Sequence, residues 1–114
     1  MQTLASKEVK PEEITEELQE TLRDLFNKAL LVSNIRSGCE GFLKAIRLSE
    51  YRLVVFTDKS LNQAIGFVLF QVDDDDILHS QAAALKAEYR QQTGMRTARE
   101  IASMIIQIAT ATIR

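Results

Sequence analysis

The residue types that could support catalysis meet at one place in this chain, around its single histidine, His79. Ser80 follows His79 directly, and the aspartates Asp73, Asp74, Asp75 and Asp76 precede it. Serine, histidine and a carboxylate form hydrolytic triads, but residues adjacent in sequence rarely reach triad geometry. The chain also lacks the Gly-x-Ser-x-Gly turn that exposes a nucleophilic serine. The sequence therefore predicts a protein that is not an enzyme.

The four aspartates could alternatively bind a divalent cation. Calcium loops, however, alternate their ligands along the chain and include a glycine turn. Consecutive aspartates instead point their carboxylates in different directions. We therefore expect Asp73 to Asp76 to form a solvated acidic loop, and we expect no metal and no other cofactor.

The single cysteine, Cys39, bears on the compartment. One cysteine cannot form an intrachain disulfide, which suits a reducing environment. The first residues are too acidic and too weakly apolar for a signal peptide. The longest weakly polar run, residues 101–113, is too short to span a bilayer. We therefore expect a soluble intracellular protein, cytoplasmic or nuclear, with no membrane partner.

The net charge of −2 is the sum of four blocks of alternating sign. Residues 1–26 hold three Lys or Arg against seven Asp or Glu, and residues 58–76 hold one against five, so each block carries −4. Residues 27–57 and 77–114 each hold five against two, so each carries +3. Nucleic acid would have to meet a positive block, because the whole molecule would not attract phosphate. Alternatively, both signs are spread over a solvated surface.

Three helices are predicted from their start signals. The first opens at Pro11, a residue favoured at the first helical position, and the second opens at the capping box Ser37–Glu40 and runs to about Leu48. The third opens at the capping box Thr97–Glu100. It is apolar over much of its circumference, which implies deep burial or a partner surface. The apolar stripe of the third helix consists of Ile101, Met104, Ile105, Ile108 and Thr112.

A strand is predicted over residues 52–57, where a continuous apolar run is typical of a strand covered on both faces. Residues 60–72 favour a further helix, which would precede the one at Thr97, but residues 64–72 could instead form a second strand. Residues 77–89 predict a helix or, alternatively, a short strand at 77–78 leading into a helix at Gln81. Residues 1–10 are expected to be a mobile tail, and residues 11–114 a single domain.

Four ungapped segments resemble the core signature of the kink-turn-binding ribosomal protein superfamily. These segments are Lys28-Ala29, Ile35-Arg36-Ser37-Gly38, Lys44-Ala45-Ile46 and Arg52-Leu53-Val54-Val55. The superfamily also includes acidic members, the growth-arrest and DNA-damage-inducible stress regulators. The resemblance implies an α/β fold that is rich in helix, a single-domain three-layer α/β/α sandwich around a small mixed sheet.

The resemblance also implies a place for RNA, because the RNA-binding members of that superfamily read Gly-any-Asn-Glu where the second helix begins. Here the same stretch is Gly38-Cys39-Glu40-Gly41, so the Asn and Glu that read bases are absent. A helix N-terminus with basic neighbours can still meet a phosphate.

We first expect a non-catalytic, RNA-associated component of a ribonucleoprotein complex. Its contact residues would be the basic turn before the second helix and the arginines near Gly94, a set consisting of Arg36, Ser37, Gly38, Lys44, Arg96 and Arg99. The alternative is an acidic module that docks proteins, or another copy of itself, through Asp73 to Asp76 and through Ile105 and Ile108 of the last helix.

Overall fold

The computed structural model describes residues 4–114, which form one antiparallel sheet of five strands together with four α-helices. The strands are β1 (Leu4–Val9), β2 (Leu30–Ser33), β3 (Arg52–Asp58), β4 (Gln63–Val72) and β5 (Leu78–Leu85). The helices are α1 (Glu16–Ala29), α2 (Gly38–Ala45), α3 (Ala87–Arg90) and α4 (Ala98–Thr112). Short 3-10 turns lie at Pro11–Glu13 and Gln91–Thr93.

The strand order across the sheet is β1-β3-β4-β5-β2. Strands β3, β4 and β5 follow one another through two short turns, so each runs antiparallel to the last. Strands β1 and β2 are the edges, and each also pairs in the antiparallel direction. The mixed sheet implied by the resemblance is therefore wrong for residues 4–114. A parallel pair would need a long crossover connection, and the three central strands have none.

Helices pack on both faces of this sheet because its central strands are apolar on both sides. Leu53 and Val55 of β3 point toward α1 and α2, whereas Val54 and Phe56 point toward α4. All four side chains are at most 5% exposed. The prediction that residues 52–57 form a strand covered on both faces is confirmed.

Helices α1 and α4 begin at threonines that cap their first turns. The Thr15 hydroxyl accepts from the Leu18 amide at 3.1 Å, so α1 begins at Glu16 and Pro11 starts only a 3-10 turn. The Thr97 hydroxyl accepts from the Glu100 amide at 3.1 Å, which is one half of the predicted capping box. The Glu100 carboxylate accepts from the amide of Arg96 at 3.2 Å instead of that of Thr97, so the other half does not form.

Helix α2 begins where the sequence predicts but without the predicted cap. The Ser37 side chain makes no capping hydrogen bond, and the helix ends at Ala45 rather than near Leu48. Its buried side chains include Phe42 and Leu43, and Ile46 is buried just beyond its end. These apolar side chains attach α2 to the core.

Strands β4 and β5 correct the sequence-based assignment of residues 60–89. Residues 63–72 form a strand, so the helix predicted there is wrong and the alternative strand is confirmed. Residues 78–85 form a strand much longer than the one predicted at 77–78. Three of its residues are alanines, Ala82 to Ala84, which favour helices in isolation. Pairing with β4 on one side and β2 on the other overrides that preference.

Residues 4–9, expected to belong to a mobile tail, form the edge strand β1 instead. The strand mixes apolar and polar residues, as an edge strand does when one side faces solvent. Its Glu8 pairs with Arg52 of β3 at 2.7 Å. An ion pair to the neighbouring strand is a tertiary contact, so the local sequence did not indicate it.

Candidate functional site

Helix α4 packs across the sheet through one apolar face. Ile105 and Ala109 are fully buried and Ile101 is 4% exposed, all in the core between α4 and the sheet. The helix contacts β2 and β5 and reaches β1, where the hydroxyls of Thr112 and Ser6 lie 2.8 Å apart. Ile105 was predicted to bind a partner, but its side chain is part of the core and unavailable for docking.

The opposite side of α4 carries no charge over three turns. Its exposed residues are Ser103, Gln107 and Ala111, and residues 101–113 contain no Asp, Glu, Lys or Arg. Partly buried apolar side chains pack against the core beneath α4. They are Met104, Ile106, Ile108 and Ile113 of α4, and Leu31, Val72 and Leu78 of the neighbouring strands. We call Ser103, Gln107 and Ala111 together with Met104 and Ile108 the α4 face.

Helix α1 shows how a solvated helix of this chain is composed. Its exposed residues are Glu16, Glu17, Glu20, Asp24, Asn27 and Lys28, of which all but one are charged. Because α1 and α4 have similar lengths and each packs on the sheet, their outer faces can be compared directly. The uncharged α4 face therefore departs from what this chain places against water. Ser103, Gln107 and Ala111 were not among the residues predicted to bind a partner, although the sequence contains no charged residue between 101 and 113.

The acidic loop is the turn of the β4–β5 hairpin, and Asp73 organises it. Its Oδ1 accepts from the amides of Asp75 at 2.8 Å and Ile77 at 3.0 Å, and its Oδ2 lies 2.7 Å from Nε2 of His79. The hydrogen bond to His79 is the main reason why the pKa of Asp73 lies below its usual value. Both carboxylate oxygens of Asp73 are therefore engaged by partners within the hairpin. Asp74, Asp75 and Asp76 are exposed at its tip.

His79 and Ser80 are neighbours on β5, so their side chains leave opposite faces of the sheet. The pair Asp73–His79 thus forms without a serine nucleophile beside it. Within residues 4–114, no group of three or more His, Cys, Asp or Glu side chains could hold a metal ion.

The predicted RNA-contact residues lie in two groups. Arg36, Ser37, Gly38 and Lys44 belong to the turn after β2 and to α2, on one face of the sheet, whereas Arg96 and Arg99 flank the start of α4 on the other. All four of these basic side chains are exposed, and none forms a salt bridge with another residue of the 4–114 range.

A third arginine of the Gly94 region, Arg90, is used inside the fold. Its Nε donates to the carbonyl oxygen of Leu85 at 2.7 Å, and its Nη2 donates to that of Ala29 at 2.6 Å. The guanidinium thereby joins α3 to the end of β5 and the end of α1. Arg90 therefore has a structural role in the fold.

Gly41 stands where the RNA-binding members of the resembled superfamily have the base-reading Glu. A Cβ atom at Gly41 would lie 2.5 Å from the Ser37 hydroxyl oxygen and 2.9 Å from Cγ2 of Ile35. A glutamate would therefore displace the turn that leads into α2. Glu40, where those members have Asn, is 3.7 Å from Arg23 of α1 and joins the two helices.

Asp58 and Tyr89 form a buried polar contact that the sequence analysis did not anticipate. The Tyr89 hydroxyl donates to the Asp58 carboxylate, which also accepts from the Ser60 amide at 2.8 Å and the Ser60 hydroxyl at 2.6 Å. The hydrogen bond to Asp58, helped by burial, raises the pKa of Tyr89 to about 12. The hydrogen bonds from Ser60 and Tyr89 hold the pKa of Asp58 below its usual value. The hydrogen bonds join Tyr89 of α3 to Asp58 and Ser60 at the β3–β4 turn, so this contact has a structural role: it holds α3 to that turn.

An open groove of about 580 Å³ lies between α1 and the start of β4. Glu17, Glu20 and Asp24 line one side and Lys86 lines another. Asp24 pairs with Lys28 at 2.8 Å, and Glu20 pairs with Arg23 at 3.4 Å. The groove is wide, charged and solvated, unlike the enclosed apolar pockets that bind small molecules.

Cys39 lies half-buried near the start of α2, and burial raises the pKa of its thiol. A raised pKa disfavours the reactive thiolate.

In the part of the chain described, no helix is long and apolar enough to cross a membrane. No protein-family model matches this chain, and a comparison with curated proteins finds no significant match.

Proposed function

We propose that this protein is a non-catalytic protein-interaction module that docks its partner on the α4 face. The single observation that carries this proposal is the absence of charge from residues 101–113 on a helix whose outer side is exposed. Met104 and Ile108 extend that uncharged surface toward the sheet, where they pack beside the core. The core of a protein interface is depleted of charged residues, and the α4 face shares that property.

The acidic tip at Asp74 to Asp76 is the second part of the proposed docking surface. It lies in the β4–β5 turn, at the same end of the hairpin as Val72 and Leu78, which border the core under α4. Charges at the rim of an apolar contact steer encounter and choose partners more than they add affinity. We therefore assign recognition of the partner to the tip and affinity to the α4 face.

Helices on both faces of the sheet, above two separate apolar clusters, support a three-layer α/β/α arrangement as the frame of this module. The half-buried thiol of Cys39 supports the proposal of a reducing, intracellular location. Membership of the kink-turn-binding superfamily stays a prediction that rests on the resemblance alone.

The proposal is tested by co-purification from a native extract with the variant Ile108→Lys. Ile108 is only partly buried, so the change places a cation on the α4 face without opening the centre of the core. We expect loss of the partner protein. The matched control is Asn27→Lys on the solvated side of α1, which should retain it. A partner retained equally by both folded variants contradicts the proposal.

RNA association is the second candidate, and one observation favours it. Arg36 lies in the turn before α2 and Lys44 lies in α2. Both side chains are exposed, and neither forms a salt bridge within residues 4–114. Unpaired cations are free to replace the counterions of a phosphate backbone.

The double variant Arg36→Glu, Lys44→Glu tests this second candidate. It should abolish binding to single-stranded RNA at low salt. The control Lys10→Glu, Lys59→Glu makes the same charge change at exposed lysines elsewhere. Binding that is indifferent to salt, or absent at every ionic strength, contradicts the RNA hypothesis.

A further inference from the structure

We propose that β1 is an exchangeable strand, which leaves the β3 edge of its own molecule and pairs with the same edge of a second copy of this chain. Reciprocal exchange produces a two-fold dimer in which each copy supplies β1 to the other. This inference is independent of the docking proposed for the α4 face. It rests on how β1 is attached, on the segment that connects it to α1, and on what its departure uncovers.

Strand β1 is attached to the sheet without burying any of its own residues. None of Leu4–Val9 is buried, whereas β3, β4 and β5 each contain a continuous run of buried residues. Besides its ladder with β3, β1 has the ion pair of Glu8 with Arg52 and the contact between the hydroxyls of Ser6 and Thr112. The side chains of the ion pair are 26% and 38% exposed, so solvent weakens their attraction. Local opening at β1 therefore costs less than opening at a central strand.

The segment that connects β1 to α1 has the properties of a hinge. The amide of Glu13 donates to the carbonyl oxygen of Lys10 at 2.8 Å, and the Glu13 carboxylate accepts from the Lys10 amide at 3.0 Å. These hydrogen bonds lie within residues 10–13. The next residue, Ile14, is 6% exposed, and its carbonyl oxygen accepts from Arg47 at 3.2 Å. The turn can thus open while Ile14 and α1 stay in place. The other edge strand, β2, follows α1 directly and has no such segment.

The departure of β1 leaves one side of the β3 backbone without a partner. Unpaired N–H and C=O groups of a strand attract another extended strand. Strand β1 is a segment shown to fit this edge, in an antiparallel register that runs unbroken from Leu4 opposite Asp58 to Val9 opposite Leu53. The β1 strand of a second copy offers the same ladder and the same ion pair to Arg52. No new complementarity is needed, so we assign the opened edge to that strand.

The exchanged dimer repeats the contacts of two monomers, so the balance between them depends on the hinge and on protein concentration. A strand on a short flexible connection meets its own partner at an effective concentration on the order of millimolar. The dimer is therefore a minor species in dilute solution and accumulates toward that range. Each hinge carries Lys10 together with Glu12 and Glu13, so two hinges that meet in the dimer can pair opposite charges.

Disulfide trapping between two variants tests the exchange. In a Cys39→Ser background, Ser6→Cys and Thr112→Cys are prepared as separate proteins, because the two hydroxyls lie 2.8 Å apart within one molecule. When they are mixed under mild oxidation, a 6–112 cross-link requires β1 of one copy beside α4 of the other. The double variant Ser6→Cys, Thr112→Cys should oxidise within one chain. In the control mixture, Ser103→Cys on the exposed side of α4 replaces Thr112→Cys and should give only collisional cross-links.

Further variants distinguish local opening of β1 from global unfolding. Glu8→Gln removes the ion pair to Arg52 and should speed the cross-link about two- to fivefold. Glu12→Gln makes the same chemical change at an exposed hinge residue and should leave the rate unchanged. A Cβ atom at Gly66 would lie 2.5 Å from the carbonyl oxygen of Ala84, so Gly66→Ala destabilises β4 and β5, which β3 separates from β1. Gly66→Ala should therefore speed the cross-link less than Glu8→Gln does.

The inference predicts a 6–112 yield above the Ser103→Cys background that rises with protein concentration. A yield equal to that background, while the double variant oxidises within one chain, overturns it. A larger acceleration by Gly66→Ala than by Glu8→Gln also overturns it, because exchange would then require the whole sheet to unfold. Neither result bears on the α4 face, which the Ile108→Lys experiment tests separately.

Discussion

Arg52 of β3 donates two hydrogen bonds to the carboxylate of Glu8 on β1, from Nε to Oε2 at 2.7 Å and from Nη2 to Oε1 at 2.8 Å. The same guanidinium lies 5.8 Å from the ring centre of Phe70 on β4. One side chain therefore links three adjacent strands, and it ties the edge strand to the sheet. A planar guanidinium can make both contacts at once, whereas an ammonium group cannot.

We accordingly expect Arg52→Lys to lower the free energy of unfolding. Because Arg52 is 38% exposed, solvent screening keeps the loss at about 0.5–1 kcal/mol. The hydrogen bond from Arg52 lowers the pKa of Glu8 below its usual 4.5, so the pair stabilises the fold above that pH and its contribution fades as pH falls through the lowered pKa. Urea titrations at neutral and acidic pH measure this, with Arg99→Lys as control. An equal deficit at both pH values would contradict it.

The Tyr89 hydroxyl should lose its proton only at high pH, and this deprotonation should destabilise the fold. In a Tyr51→Phe background, the phenolate absorbance should appear near pH 12 in the folded protein. A raised pKa favours the neutral phenol, so its stabilisation is complete below the unfolded value of 10.0 and declines between that pH and about 12. Asp58→Asn removes the carboxylate and should move the titration to lower pH. An unmoved titration would show that the hydrogen bond does not cause the shift.

Asp73 should matter to the β4–β5 turn in a way that its neighbours do not. Asp73→Ala removes the acceptor of the Asp75 and Ile77 amides, so hydrogen exchange at both amides should quicken. Asp74→Ala removes a carboxylate that is exposed at the tip and should leave both rates unchanged. Because the pKa of Asp73 is lowered, the protection should persist at neutral pH and weaken as pH falls through that lowered value. Equal rates in both variants would refute the assignment.

Replacing Gly66 by alanine, the smallest possible enlargement of its side chain, should destabilise the fold. A Cβ atom there would lie 2.5 Å from the backbone carbonyl oxygen of Ala84 on β5, which cannot move without breaking the strand pair. We expect Gly66→Ala to lower the free energy of unfolding by about 2–3 kcal/mol. Gly94→Ala meets no atom within 4 Å but has φ of 72°, and should cost about 1–2 kcal/mol. Thermal unfolding measures the free energy of unfolding of both variants. A smaller decrease for Gly66→Ala than for Gly94→Ala would be inconsistent with the close contact at Gly66.

The local sequence was sufficient wherever one segment carried its own signal. The apolar run at residues 52–57 required cover on both faces whatever the topology, because no amphipathic arrangement could hide it. The start of α4 was set by Thr97 and Glu100, whose hydroxyl and amide meet within one turn. The acidic loop predicted at Asp73 to Asp76 is the turn of a hairpin, since adjacent carboxylates favour solvent and local hydrogen bonds.

Only the tertiary structure decided the rest. Residues 78–85 contain three alanines, which favour a helix in isolation, and pairing with the neighbouring strands β4 and β2 made this segment a strand. The contact between Tyr89 and Asp58 joins residues far apart in sequence, so no local pattern could indicate it. On α4 the periodicity gave an apolar stripe, but the position of the sheet determined that Ile105 is buried while Gln107 faces outward. Periodicity defines the faces of a helix, and what packs against each face depends on distant parts of the chain.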